Sequence, residues 1–414
     1  MNYFKKENCR VCLSTDLKKV IELTPTPPGN NFLDKDSVGE KEYKFPLELD
    51  FCETCHHIQL GHVVDPSYLF QNSYSYVSAT SPVFVKHLSE FAHYVIGLFE
   101  LDSSSMVIDI GSNDGTFLSF FKEKDINVLG VDPATDIAEI AMSNGINTIP
   151  DFFNYELANK ILDENGLADI ITSHNACAHI DDLDGVIAGV GVLLKEDGVF
   201  IMEVGYFVDV FQNTWFDTIY HEHLDFHTVK PLEQLFKRFN LELFRVERIS
   251  PQGGSIRVFI QRKNGPYKKD NTISELILLE QELGLDNPQT LFNFEKKINS
   301  IRDEFKVLIK SIKDSDKSIA GFGAPTKATT LGYHFNIGIN EIDFIVDDNP
   351  LKQGLLTPGK HIPVFSNEEI YKVQPDYLLI LAWNFAESIM KKHKDYSDNG
   401  GRFILPMPKP RIVK

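Results

Sequence analysis

The sequence predicts an α/β protein built in three parts, on the strength of three observations. Two identical Cys-x-x-Cys pairs fall within the first sixty residues, a strand–glycine turn–helix unit begins near Met106, and another begins near Ile319. A length of 414 residues exceeds what one hydrophobic core usually serves, so two or three domains are expected. The expected division is 1–72, 73–262 and 263–414. Hydrophobic residues make up 43% and charged residues 24%, the balance of a soluble globular chain. A formal net charge of −18 speaks against a nucleic-acid or acidic-membrane partner, since either needs clustered Lys and Arg. Residues 1–10 lack the apolar core of a signal peptide, and no apolar run reaches the roughly 18–20 residues of a membrane span. Five cysteines are too few for a disulfide scaffold, so a reducing, cytoplasmic setting is expected. The expected assembly is a monomer or weak homodimer.

Cys9-x-x-Cys12 and Cys52-x-x-Cys55 use four of those five cysteines. Two intervening residues let both thiolates of a pair converge on one ion, and two pairs close the tetrahedral shell of Zn²⁺. With no ligand position left open the metal is structural, a zinc-ribbon-like staple for a segment too small to bury its own core. No βαβ pattern surrounds either pair, which disfavours a redox role. His56 and His57 read as bystanders, and Cys177 as a small packed residue.

The central part opens with SMVIDIGSNDGTFLSFF at 105–121. It reads as an apolar strand, a turn bounded by Gly111 and Gly115, and an amphipathic helix from Thr116. The pattern is D-x-G-x-x-x-G from Asp109, unlike the G-x-G-x-x-G with which dinucleotide-binding turns approach a pyrophosphate. An amino-acid carboxylate and a sulfonium need only a tight turn and a few polar groups. A second strand, INVLGVDPA, ends in Asp132, where an acid can accept hydrogen bonds from both ribose hydroxyls of an adenosine. Asp151-Phe152-Phe153 follows where an acid and an aromatic meet an adenine. Strands DIITS, leading into HNACAHI, and GVFIMEV come next, giving a parallel sheet with its ligand at the C-terminal strand ends. Turn, acid and strand order together resemble a class I methyltransferase, a Rossmann-like domain that uses S-adenosyl-L-methionine. A generic nucleotide-binding Rossmann domain is the alternative.

YHEHLDFH at 220–227 holds three histidines with Glu222 and Asp225, and could be a metal site, a proton-transfer site or a solvated edge. HEH lacks the H-E-x-x-H spacing of a helical zinc site. Motifs along the whole chain resolve the choice by resemblance. They are the two cysteine pairs, Tyr74-Ser-Tyr76-x-Ser78, IDIGSNDGTF, Asn175 with His179-Ile180, and Tyr220-His-Glu-His223-Leu. Gly253-Gly254-Ser255-x-Arg257 and Gly321-x-Gly323-Ala324-Pro325-x-Lys327 complete the set. In this order they resemble the sugar C-methyltransferases that act on nucleotide-linked keto-sugars. The resemblance implies a nucleotide-sugar substrate and His223 as the base, with Tyr220 and Glu222 assisting and His179 and Tyr76 reaching the sugar. It implies a cofactor site of Asp109, Gly111, Asn113, Asp132, Phe152 and Asn175, and substrate contacts from Ser78, Arg257, Gly323 and Lys327. The chemistry agrees: a histidine removes an α-proton near neutral pH, a neighbouring carboxylate orients the imidazole, and a tyrosine hydroxyl stabilises an enolate. The continuation Leu-Asp225-Phe226-His227 departs from the family's usual serine-tyrosine, and His221, Asp225 and His227 read as structural or rim residues.

KNGPYKKD at 263–270 is a polar joint. Leu291, Phe294, Ile298, Ile301, Phe305 and Leu308 recur at helical spacing, a packing face. SIAGFGAPTKATTLGYHF, IDFIVDDNP and DYLLILAW then predict a second Rossmann-like α/β domain, whose glycine turn and Lys327 can hold an anion. The resemblance assigns it the nucleotide end of the substrate. Methylation at oxygen or nitrogen, and a non-catalytic methyltransferase-fold assembly protein, are the competing functions.

Overall fold

The computed structural model describes residues 3–39, 41–70, 77–80, 82–249 and 253–414. Each Cys-x-x-Cys pair is a tight knuckle closed in the same way. Leu13 and His56, the residues after the second cysteine of each pair, take left-handed backbone angles of φ 66° and 69°. Their N–H groups donate to the carbonyls of Cys9 and Cys52 at 2.9 and 2.8 Å. Side chains tolerate that conformation poorly, and the repeated reversal turns both thiolates of each pair the same way. The two knuckles stand together at one end of an antiparallel sheet built from Leu17–Thr26, Phe45–Cys52 and Ile58–Leu60, where Leu17 is in register with Cys52.

The fourth strand of that sheet is Asp225–Phe226, paired with Gln59 and Ile58. The second half of YHEHLDFH, read from sequence as structural or rim, is thus an edge strand of the N-terminal module. Buried polar groups fasten it: His57 Nε2 lies 2.7 Å from Asp225 Oδ1, and Arg10 donates to the carbonyls of Leu60 and Leu224. His57 is no bystander to the fold.

The central sheet runs, in spatial order, Thr148–Ile149, Asn127–Val131, Met106–Ile110, Ala168–His174, Leu194–Gly205, Ser255–Arg262, Leu241–Ile249. Neighbours among the first five are parallel, and Ser255–Arg262 is antiparallel to both of its neighbours. Val107, Ile108 and Ile110 are buried on the strand that carries the turn, as are Phe117, Leu118 and Phe121 on the helix after it. Order reverses beside Met106–Ile110, where open α/β sheets bind ligands. The fold is the Rossmann-like methyltransferase sheet that the turn and strand order foretold.

A second sheet of six strands closes the chain, in the order Val364–Phe365, Ile345–Val346, Ile319–Phe322, Tyr377–Ile380, Arg402–Leu405, Arg411–Val413. The outer Arg411–Val413 strand is antiparallel, and the strands at 364–365, 402–405 and 411–413 went unread in the sequence. The helix Pro288–Lys313 is capped by Asn287, whose side chain accepts from Gln289. Its buried face continues through Ile309 and Ile312, and Leu308 is only partly covered. This helix packs against Leu17–Thr26 of the zinc module, with the Glu295 carboxylate accepting the Glu22 N–H at 2.7 Å. All three parts therefore share one interior. No described helix is long and apolar enough to cross a membrane.

Candidate active site

The C-terminal strand ends of both sheets face one cavity of about 750 Å³, a size suited to small-molecule ligands. Along one wall lie Asp109, Gly111, Asn113, Asp132, Phe152 and Asn175, the residues expected from sequence to hold a cofactor. Gly111 has φ 76°, and a Cβ there would stand 2.4 Å from that of Ala176, so only glycine lets the turn pass the 175–176 loop. Asp132 accepts the backbone N–H groups of Asn113 and Ala134 at 2.8 and 2.9 Å. Burial raises its pKa, opposed by those two N–H groups. Asn113 uses its side-chain oxygen to accept the Ser78 N–H at 2.8 Å, which brings Ser78 into the lining. Asp109 accepts a hydrogen bond from Thr172 at 2.7 Å.

The loop 218–223 supplies the opposite wall. His223 Nδ1 lies 2.8 Å from the Thr218 carbonyl, which can only accept, so Nδ1 carries the proton. Nε2 then offers its lone pair to the Tyr220 hydroxyl at 2.7 Å. Burial pulls the His223 pKa down to about 4. His179 stacks on it with ring centroids 5.1 Å apart, and its own pKa falls to about 3 through burial and then the His223 ring. Both imidazoles are neutral near pH 7. The sequence suggested that Glu222 orients the imidazole, but a backbone carbonyl does so. Glu222 Oε1 is turned away and accepts from Asn30 Nδ2 at 3.0 Å. Burial pushes the Glu222 pKa up to about 7, opposed by Asn30 and Lys352.

The second α/β domain closes the cavity with Thr326, Lys327, Lys352 and Asn384. Lys327 Nζ donates to Asn384 at 2.7 Å and lies 3.9 Å from the Trp383 ring centroid; burial lowers its pKa. Asp217, unremarked in the sequence, accepts the Trp383 indole N–H at 2.6 Å, and burial raises its pKa to about 6. Arg257 and Gly323 do not line this cavity. Arg257 is paired in register with Glu203, donates to it at 2.9 Å and covers Phe91 at 3.5 Å; its guanidinium is spent on the sheet. Gly323, at φ 85°, lets the strand turn against Ala382, where a Cβ would stand 2.6 Å away. Tyr76 lies outside the described residues. Asn30 and Lys352 were missed: TPPGNN reads as a mere turn, and nothing local to NPLKQG points to Glu222.

Three domain families match in chain order: a zinc binding domain over 9–70, a methyltransferase domain over 84–246 and a C-methyltransferase C-terminal domain over 250–408. The C-methyltransferase NovU of Streptomyces niveus is 35% identical over 408 residues, spanning 98% of this chain and 97% of that protein. The chain belongs to the C-methyltransferase family. Among solved structures, an S-adenosylmethionine-dependent methyltransferase of Clostridium acetobutylicum is 18% identical, over 44% of this chain and 92% of its own, with a TM-score of 0.36. The PH0226 protein of Pyrococcus horikoshii is 13% identical, over 48% and 97%, also at 0.36. At those scores they add nothing to the strand order already described.

As a C-methyltransferase the protein uses S-adenosylmethionine and a structural zinc, and its residues fit both. The ligand atoms of Cys9, Cys12, Cys52 and Cys55 all lie within 4.8 Å of one another. Cys9–Cys55 and Cys12–Cys52 sulfurs are each 3.5 Å apart, near the edge of about 3.8 Å in a tetrahedron of ~2.3 Å Zn–S bonds. For the methyl donor, the glycine turn and the buried Asp132 face the cavity together.

Proposed function

We propose that the protein methylates a carbon next to the ketone of a nucleotide-linked keto-sugar, by base-catalysed enolate formation followed by methyl transfer. The observation that carries this reading is that the Tyr220–His223–Thr218 hydrogen-bond chain opens on the same cavity as the cofactor turn. His223 Nε2 removes the α-proton, and the electron pair of that C–H bond moves onto the ketone oxygen as an enolate. Tyr220, displaced from Nε2 by the substrate, donates its hydroxyl to that oxygen. Glu222 and His179 contact the sugar hydroxyls, and Tyr76 joins them by resemblance. Bound S-adenosylmethionine supplies an electrophilic methyl group for the enolate carbon. Asp109, Gly111, Asn113, Asp132, Phe152 and Asn175 hold that cofactor. Ser78 and Lys327 hold the acceptor, with Lys327 toward the nucleotide. Arg257 and Gly323 act at a distance, by bracing the strands behind the cavity. A panel of nucleotide keto-sugars incubated with donor labelled in its methyl group tests the reading, and uptake by none of them would overturn it.

Two consequences are measurable. Replacing Asp132 with Ala weakens binding of S-adenosylmethionine and of its demethylated product by about 10–100-fold in calorimetry, since charge-assisted hydrogen bonds contribute roughly 1.5–3 kcal/mol. Unchanged affinity removes Asp132 from the site. The base works only when unprotonated, so kcat/KM rises with pH through the His223 pKa and levels off above it. With that pKa lowered to about 4 by burial, the acid limb falls well below the ~6.5 of an ordinary histidine. A limb near 6.5 that persists in Glu222→Gln would mean that His223 is not held in this buried, low-pKa state.

A further inference from the structure

We infer that Asn30, contributed by the zinc module, is a positioning residue of the acceptor site that favours the charged form of Glu222 while docking the C-terminal domain onto the catalytic loop. The inference rests on the proposed role of 220–223 in acceptor binding. The Asn30 carboxamide is bonded at both ends to different parts of the chain. Its Nδ2 donates to Glu222 Oε1 at 3.0 Å, and its Oδ1 accepts from Thr326 Oγ1 at 2.8 Å. Asn30, Glu222 and Thr326 all line the cavity. The loop is shaped for this approach: a Cβ on Gly29 would stand 2.6 Å from both the Cγ2 and the carbonyl oxygen of Thr326, so no larger residue lets the backbone come so near. Pro27 and Pro28 are buried just before it, and Leu33 bridges to Leu356 just after.

The surroundings of Glu222 make the Asn30 donor consequential. From the C-terminal domain Lys352 faces it, although that ammonium also donates to the Ala324 carbonyl at 2.8 Å and lies near Asp347. On its own loop, His221 is turned to the Phe45 carbonyl and His223 to Thr218 and Tyr220. A carboxylate buried this deeply is costly unless hydrogen-bonded, and an N–H donor favours its charged form. Asn30 supplies that donor only when the zinc module is docked, and its other end reports the docking of the helix Thr326–His334.

The test uses the zinc-loaded full chain with Asn30→Ala and Asn30→Asp, the second of the same shape but lacking the donor. The ¹³C resonance of the Glu222 carboxyl, assigned with Glu222→Gln, is followed against pH. Asn30→Ala raises the Glu222 midpoint by about one pH unit, and Asn30→Asp raises it further because it sets a second carboxylate beside it. The kcat/KM limb that follows Glu222 moves with it, whereas a merely structural defect scales the profile without displacing the limb. A Glu222 midpoint that is unchanged in Asn30→Ala overturns the inference, and should Asn30→Asp fail to fold, Asn30→Ala alone decides. The titration needs no acceptor, so failure of every nucleotide keto-sugar in the panel would defeat the substrate reading and leave this link to be judged by the resonance.

Discussion

Replacing His223 with Asn lowers methyl transfer by about 10²–10⁴-fold, the usual contribution of a general base, while S-adenosylmethionine affinity stays nearly unchanged. The geometry sets this expectation. Nδ1 is committed to the Thr218 carbonyl, so the ring presents one fixed lone pair at Nε2, toward Tyr220 and the cavity. Asparagine keeps a polar group of similar reach but has no basic nitrogen. The loss therefore falls on the transition state and not on cofactor binding. If deprotonation is a separate step, the wild-type protein exchanges the acceptor's α-hydrogen for deuterium in D₂O even without the methyl donor, and His223→Asn does not. Tyr220→Phe slows turnover less, because it removes one donor to the enolate and leaves the base. A His223→Asn protein that retained more than about a tenth of normal turnover would be incompatible with a general base of that strength. The base would then move to His179 or Tyr76.

Zinc removal has the other large effect, and it reaches the chemistry through the fold. Structural zinc sites contribute on the order of 10–16 kcal/mol of apparent binding free energy in small domains, and binding of that size is folding free energy for a module this small. The strand Ile58–Leu60 begins three residues after Cys55 and holds Asp225–Phe226, which begins two residues after His223. Cys52→Ser, or chelation of the metal, thus costs the N-terminal sheet first and the placement of the 218–223 loop with it. Elemental analysis of carefully purified protein gives one zinc per chain. The Cys52→Ser protein is less soluble or melts at a lower temperature, and loses methyl transfer in the same temperature range as its structure. A zinc-free chain with both its melting temperature and its turnover intact would exclude a structural metal.

What was legible in the sequence is what rests on short-range chemistry. Cys-x-x-Cys spacing brings two thiolates to one ion within a single turn. An apolar strand, a glycine turn and an amphipathic helix declare themselves within seventeen residues at 105–121, and Asp132 at the next strand end follows from the same repeat. These readings need no knowledge of where distant segments lie. Tertiary structure alone decided the rest. The imidazole of His223 is oriented by the Thr218 carbonyl and not by Glu222, because loop curvature, unseen in residue identity, chooses between a carbonyl and a carboxylate. Arg257 is turned to Glu203 by the register of two antiparallel strands, and a one-residue slip would have pointed it to the other face. Asp225–Phe226 pairs with the sheet of the zinc module, and Asn30 reaches the cavity wall beside Glu222, because hydrogen bonds and apolar burial are satisfied wherever groups meet in space, however far apart they stand in the chain.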